Sequence, residues 1–138
     1  MQKTINIYQN ARQISPTVYN VHIDKLEAIP NYSINQILSP AINYIDINHI
    51  PLAIHTICQK LKLDGSCTID IVNMKSICTD YTHGAIVDNE IFELLNNRAN
   101  YVSIPTIKSI VEKDINLAIT HISTNKHITS IRIERIKL

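Results

Sequence analysis

Short apolar runs separated by polar residues predict strands in the first third of the chain. Each run is bounded by polar or turn-forming residues, as is typical of buried strands. The three runs are Thr4–Tyr8, Val18–Ile23 and Ile34–Leu38. The polar stretches between them predict loops, because one ends near Pro16 and the other contains Pro30-Asn31.

The middle of the chain changes to helical spacing. Apolar residues recur at roughly helical intervals over 52–61, and Pro51 stands where a first-turn proline is tolerated, since its missing N–H would have no partner there. We expect Asp64-Gly65 to end this helix, because glycine can adopt the left-handed conformation of a helix cap. Cys67–Val72 then predicts a buried strand of a parallel sheet.

Two further helices are predicted in the second half. The polar region Lys75–His83 is expected to be a loop. Asp88–Asn97 predicts a helix with Asp88 as its cap, and another short helix is expected from Ile104 or Pro105 to Lys113.

The last predicted elements form a β-hairpin. Its strands are Asn116–Ser123 and His127–Lys137, joined by a turn at Thr124-Asn125-Lys126. The predicted order is therefore β, β, β, α, β, α, α, β, β. This order indicates an α/β fold with a mostly parallel sheet, to which the hairpin adds an antiparallel edge. A length of 138 residues suits a single domain spanning residues 1–138.

Composition narrows the class of protein. Hydrophobic residues make up 45% of the chain and charged residues 18%, which favours a packed globule over a disordered chain. The net charge of +1 does not indicate a nucleic-acid partner, and no apolar run is long enough for a membrane span. The cysteines Cys58, Cys67 and Cys78 form no C-x-x-C pair, so buried free thiols in a reducing compartment are expected.

The helix-turn-strand region resembles a known family. Residues 53–66, followed by 68–72, resemble the "RVLKPGG" segment of class I S-adenosylmethionine (SAM)-dependent methyltransferases, with the match carried by residues 60–65. Ile5-Asn6-Ile7 is similar to the start of the family's "LNIGCG" strand, and Asn20–Asp24 to its "NVDI" strand. The resemblance implies a Rossmann-like methyltransferase fold of the compact, methyltransferase type 11-like kind.

The same resemblance implies where SAM would bind. In such folds, glycines after the first strand let the backbone approach the ligand, and a carboxylate after the second strand binds the ribose hydroxyls. Here the loop of residues 8–13 contains no glycine, because the two glycines of the chain are Gly65 and Gly84. Side chains at the close-approach positions would occupy the volume of the ligand. The cofactor-binding loop is therefore expected to be degenerate.

Six residues are candidates for cofactor binding if the SAM pocket is retained. His22 aligns with the expected carboxylate, and Asp24 lies two residues on, where a continuing strand would point it to the same face. Asp24 either binds ribose hydroxyls or is a surface residue, and Tyr44 either stacks on a ligand ring or packs against the sheet. We favour the structural role for both. The six are Tyr8, Gln9, Asn10, His22, Asp24 and Tyr44.

A second cluster of reactive residue types does not predict a site. Cys78, Asp80 and His83 lie close together in sequence. Closeness in a polar loop provides neither the ligand geometry of a metal site nor the positioned base that a cysteine nucleophile needs. No metal and no catalytic residue is therefore assigned.

The sequence predicts a catalytically degenerate methyltransferase-like domain without a cofactor. It would act as a structural or interaction module, with a protein partner or as a homo-oligomer. Abundant isoleucine and asparagine suit AT-rich coding, so a viral or phage assembly is one setting. The expected location is the cytoplasm, or a virion made there. One alternative is an active small SAM-dependent methyltransferase with an atypical loop. Another is a binding module for a different nucleotide-like ligand, held at the carboxyl edge of the sheet.

Overall fold

The computed structural model describes residues 3–9, 13–96 and 98–138, which form one sheet with helices. Its strands are β1 Thr4–Tyr8, β2 Tyr19–His22, β3 Ile34–Leu38, β4 Leu61–Val72, β5 Leu117–Asn125 and β6 Ile128–Arg135. Its α-helices are α1 Ile50–Cys58, α2 Met74–Thr82, α3 Asp88–Leu95 and α4 Ile104–Glu112. Short 3-10 helices occupy Ile23–Ala28, Pro40–Tyr44 and Ile47–His49.

The sheet is mixed, with the strand order β2-β1-β3-β4-β6-β5. β2, β1, β3 and β4 pair in parallel, and β6 lies antiparallel between β4 and β5. The prediction of an α/β fold with a mostly parallel sheet and an antiparallel C-terminal hairpin is confirmed. The hairpin joins the sheet through β6, so β5 is the edge strand on that side and β2 the edge strand on the other.

Isoleucines fill the centre of the sheet. Ile5 and Ile7 of β1 and Ile34 and Ile37 of β3 are buried in one core, which also receives apolar side chains from α1 and α4. Successive residues of β1 are buried, as expected for a strand covered on both faces. Asn6 is buried between the two isoleucines of β1 and is therefore a polar group inside the core.

The boundary between α1 and β4 differs from the prediction. α1 ends at Cys58, and Asp64-Gly65 lies within β4 instead of capping a helix. Asp64 has a left-handed φ of 63°, and the β3–β4 register shifts at this point. A Cβ atom on Gly65 would lie 2.9 Å from the carbonyl oxygen of Ile34 and 2.9 Å from that of Lys62. Close backbone approach, and not helix termination, therefore explains this glycine.

The region predicted as a loop, Lys75–His83, is largely helical. It forms most of α2, whose first turn is capped by the Asn73 side chain accepting a hydrogen bond of 3.0 Å from the Ser76 N–H. Ile77 is the only residue of this helix that is fully buried. The prediction was wrong because so sparse an apolar stripe leaves no periodic signal in the sequence.

Other boundaries moved by a few residues. Val87 is the N-cap of α3, so Asp88 lies in the first turn and interacts with the helix dipole without capping. β2 ends at His22, one residue before the predicted end of the strand, and Asp24 lies in a 3-10 helix and not on a continuation of that strand. β5 continues to Asn125, and the hairpin turn is made by Lys126, with a φ of 57°, and the next residue.

Candidate functional site

The strand order of the sheet reverses outside the carboxyl ends of β1 and β3, and this switch point is here called the crevice. From β1 the chain passes to β2 on one side and then crosses to β3 on the other. Open α/β sheets bind their ligands where the strand order reverses in this way. The residues that follow the two strands, Gln9 and Ser39-Pro40, border this position.

The Gln13 side chain crosses the crevice. Its Oε1 accepts a hydrogen bond of 2.9 Å from the Gln9 backbone N–H, which lies directly after β1. Its Nε2 donates a hydrogen bond of 2.7 Å to the carbonyl oxygen of Pro40, which lies after β3. One amide group therefore joins the segments that follow β1 and β3, and uses the Gln9 N–H and the Pro40 carbonyl oxygen to do so.

Two asparagines hold the start of β2 and the Gln13 backbone together. The Asn6 amide donates hydrogen bonds of 2.8 Å to the Gln13 carbonyl oxygen and 2.9 Å to the Asn20 side chain. Asn20 in turn accepts from the Ser15 N–H and donates to the Ser15 carbonyl, both at 2.8 Å. Buried polar groups that satisfy each other in this way fix the local backbone.

His22 connects the ends of β1 and β2. Its Nδ1 accepts a hydrogen bond of 3.1 Å from the Asp24 N–H, and its Nε2 lies 3.2 Å from the Gln9 carbonyl oxygen. The tautomer with its proton on Nε2 satisfies both contacts. The Tyr8 ring meets the imidazole edge-on, with the centroids 5.2 Å apart. His22 thus caps the 3-10 helix that follows β2.

A groove of about 570 Å³ opens beside the crevice. Gln9, Asp24 and Tyr44 line it from three separate segments of the chain. Acidic and imidazole groups also line it, and they belong to Glu27, Asp46 and His49. Its floor contains apolar side chains, so the groove combines apolar surface with several polar groups, as ligand sites do.

The Tyr44 wall of the groove is held by two buried asparagines. Asn43 donates a hydrogen bond of 3.0 Å to the Asp70 carbonyl oxygen at the end of β4. Asn100 donates hydrogen bonds of 2.7 Å to the carbonyl oxygens of Ile42 and Ile45, on either side of Tyr44. These bonds give the 3-10 helix a fixed position relative to the sheet.

The predicted cofactor residues therefore meet at one edge of the sheet. Tyr8, Gln9, His22 and Asp24 form a chain of direct contacts, and Tyr44 shares the groove with Gln9 and Asp24. Asn10 lies outside the described residues. Whether these side chains bind SAM stays a prediction.

The bridging role of Gln13 and its support by Asn6 were not predicted from the sequence. A signal for Asn6 is its place between Ile5 and Ile7 in a strand that is otherwise apolar at its centre. An amide inside such a strand must find partners, which here are Gln13 and Asn20. Nothing in the sequence marks Gln13 as a bridge, since the acceptor of its amide, Pro40, lies 27 residues further along the chain.

The cluster of Cys78, Asp80 and His83 does not form a site. Asp80 contacts His127 of the hairpin turn instead, with 2.6 Å between Oδ2 and Nε2. The His83 Nδ1 lies 2.8 Å from the Thr79 carbonyl oxygen of its own helix. Within residues 3–9, 13–96 and 98–138, no group of three or more potential metal ligands comes together.

The cysteines differ in exposure. Cys58 and Cys67 are buried and Cys78 is exposed, so the expectation of buried thiols fails at Cys78, which lies on α2. The hydrogen bond with Cys58 and then burial raise the pKa of the Cys67 thiol well above its usual value. In the described part of the chain, no helix is long and apolar enough to cross a membrane.

Comparisons with known proteins identify the fold. No protein-family model matches the chain, and no sequence of a curated protein matches it significantly. Solved structures of SAM-dependent methyltransferases do match it over nearly its full length. The chain therefore has the Rossmann-like fold of the class I methyltransferases.

Three of these structures show the extent of the similarity. A SAM-dependent methyltransferase from Archaeoglobus fulgidus matches with a TM-score of 0.63 and 11% identity, over 97% of this chain and 86% of that one. A possible histamine N-methyltransferase from Thermotoga maritima gives 0.64 and 12%, over 98% and 83%. The 1,6-didemethyltoxoflavin-N1-methyltransferase of Burkholderia thailandensis, with bound S-adenosylhomocysteine, gives 0.60 and 9%, over 99% and 72%.

Proposed function

We propose that this chain is a methyltransferase-fold domain that does not methylate and acts as an interaction module. The observation that carries the proposal is the Gln13 amide, which joins Gln9 to Pro40 across the switch-point crevice. A fold can persist after catalysis is lost, because packing depends on the core and activity on a few loop residues.

The residues at the crevice do not fit SAM as they stand. A nucleotide-like ligand at a switch point uses close backbone approach and free N–H groups. Here the Gln9 N–H already donates to Gln13, and no residue of the loop 8–13 is a glycine. Binding in that mode would require the Gln13 bridge to open and the backbone to shift.

Titration calorimetry with SAM and with S-adenosylhomocysteine tests the proposal directly. We expect no binding heat and no change in melting temperature at millimolar ligand. The thermal assay is sensitive, since a ligand present at a hundred times its Kd stabilises a protein by about 2.7 kcal/mol. Micromolar binding of either compound to the unmodified chain would refute the proposal.

A second candidate function is a working SAM-dependent methyltransferase. It is favoured by the groove of about 570 Å³, which collects Gln9, Asp24 and Tyr44 next to the crevice. In this alternative the ligand lies in the groove, Asp24 accepts hydrogen bonds from ribose hydroxyls, and Tyr44 stacks on the adenine ring.

Matched variants separate the two candidates. If SAM binds the unmodified chain, loss of that binding in Asp24→Ala supports the methyltransferase. Glu112→Ala, which changes an exposed carboxylate on α4, is the control and should keep the binding. Binding that is absent from the unmodified chain but gained in Gln13→Gly supports a crevice closed by its own side chain. Gln59→Gly is the control for the second comparison, because this glutamine follows α1 near the amino end of β4, whereas the crevice lies at the carboxyl ends of the strands.

A further inference from the structure

α3 is the helix that contributes least to the core. α1, α2 and α4 each bury at least one residue fully, whereas α3 buries none. Its sequence nevertheless carries Ile91, Phe92, Leu94 and Leu95. A helix with this many apolar residues and no buried one presents apolar surface to its surroundings.

A broad groove of about 720 Å³ runs along this helix. Three aromatic side chains line it and remain exposed, with Phe92 66% exposed, Tyr81 54% and Tyr101 46%. Ile91 and Leu95 add aliphatic surface between them. Exposed aromatic side chains grouped in this way are typical of the centres of protein–protein interfaces.

Opposite charges lie at the two ends of the groove. Asp88 is the first residue of α3, and Arg98 follows the end of that helix. Both line the groove. The Arg98 Nε donates a hydrogen bond of 2.8 Å to the Leu94 carbonyl oxygen, which holds the guanidinium beside α3. An eight-residue helix is about 12 Å long, so the two charges are well separated along the groove.

We propose that this α3 surface, formed by Tyr81, Asp88, Phe92, Arg98 and Tyr101, binds a second copy of the chain with the two α3 helices antiparallel. A two-fold axis across the middle of α3 brings Asp88 of each copy to Arg98 of the other, and the aromatic rings meet at the centre. The surface is thus complementary to itself in charge. The assignment names a partner for the proposed interaction module and so rests on that proposal.

The charges of the surface distinguish this partner from others. A nucleic-acid surface would combine its aromatic rings with an excess of basic residues, whereas here one carboxylate balances one guanidinium. Another face that offers pairing is β5, the longer of the two edge strands of the sheet, which has unpaired backbone groups on its outer side. Dimerisation through β5 is therefore the competing outcome of the experiment.

Sedimentation equilibrium of the full chain and of charge-reversal variants tests the proposal. We expect the unmodified chain to dimerise with a Kd of about 1–100 µM, in the range of small interfaces. Asp88→Arg and Arg98→Asp each place like charges opposite each other and should be monomeric. An equimolar mixture of the two variants restores both ion pairs, so the heterodimer should form again.

Substitutions of exposed residues test the interface without disturbing the core, so a loss of dimer is not caused by misfolding. Phe92→Ser should weaken the dimer about tenfold or more, while Ile115→Ser, equally apolar and 77% exposed on another part of the surface, should leave it unchanged. A monomer at 100 µM, a dimer insensitive to Phe92→Ser, or a dimer lost in the β5 variant His121→Lys would each overturn the proposal. Calorimetry with SAM stays a separate readout, so the two proposals can fail independently.

Discussion

The side-chain amide of Gln13 donates a hydrogen bond of 2.7 Å to the carbonyl oxygen of Pro40, and so ties the loop after β1 to the segment after β3. These segments flank the place where an α/β sheet of this order binds ligands. The same amide accepts from the Gln9 N–H. The position of one side chain therefore links the stability of the β1–β2 loop to the accessibility of the crevice.

Gln13→Ala should lower the free energy of unfolding by about 1–2 kcal/mol, since it removes the hydrogen bonds of ordinary net strength that this side chain makes with Gln9 and Pro40. Urea denaturation measures this loss, and amide exchange at Gln9 should speed up because its N–H loses its acceptor. Gln59→Ala is the matched control, since the hydrogen bond of that side chain goes to an exposed histidine, His55, at 3.1 Å. Equal losses in the two variants would argue against the bridge.

Asn6→Ala should cost about 2–3 kcal/mol, more than the loss of Gln13. The substitution empties a buried position and removes the hydrogen bonds that the Asn6 amide donates to the Gln13 carbonyl oxygen and to the Asn20 side chain. Thermal unfolding monitored by circular dichroism gives the comparison. Asn89→Ala, an exposed change on α3, should stay within about 0.5 kcal/mol of the unmodified chain. A small loss at Asn6 would mean that the loop is held by other contacts.

The strands β1 and β3 were predictable because each is a short run that contains two buried isoleucines and is bounded by polar or turn-forming residues. Both strands have the predicted bounds, since such short runs have few alternative structures. α2 was missed for the opposite reason. With Ile77 as its one fully buried residue, its helical state depends on capping by Asn73 and on its place after β4.

The location of the candidate site was predictable from the sequence, but the hydrogen bonds within it were not. The order of strands implies that residues after β1, β2 and β3 share one edge, and Gln9, Asp24 and Tyr44 do line a common groove there. The bridge from Gln13 to Pro40 joins residues 27 positions apart. Such a contact depends on side-chain conformation in the folded state, so the pattern of apolar and polar residues in the sequence does not predict it.

The two glycines should respond differently to alanine. Gly65→Ala places a Cβ 2.9 Å from two backbone carbonyl oxygens, which cannot move without disturbing the β3–β4 pairing, and should cost about 3 kcal/mol. Gly84→Ala meets open space but retains a φ of 72°, so only backbone strain of about 1–2 kcal/mol is expected. Chemical denaturation of both variants shows which substitution lowers the free energy of unfolding more. A larger cost at Gly84 would show that β4 relaxes easily around residue 65.

The buried thiol of Cys67 should make the protein less stable in alkaline solution. Its hydrogen bond with Cys58 and its burial raise the pKa of the Cys67 thiol, so the folded state keeps the proton while the unfolded chain loses it above about pH 8.5. The unfolded state then binds fewer protons. The stability that is present below about pH 8.5 is therefore lost as the pH rises toward the raised pKa, by at most about 1.4 kcal/mol per pH unit.

Urea denaturation at a series of pH values between 7 and 10 measures this dependence. Cys67→Ala should reduce the alkaline slope of the free energy of unfolding, although it lowers stability at every pH by leaving a small cavity. Cys78→Ser, which changes the exposed thiol of α2, should keep the slope of the unmodified chain. If Cys67→Ala and Cys78→Ser gave identical slopes, the alkaline loss would have to come from other titrating groups.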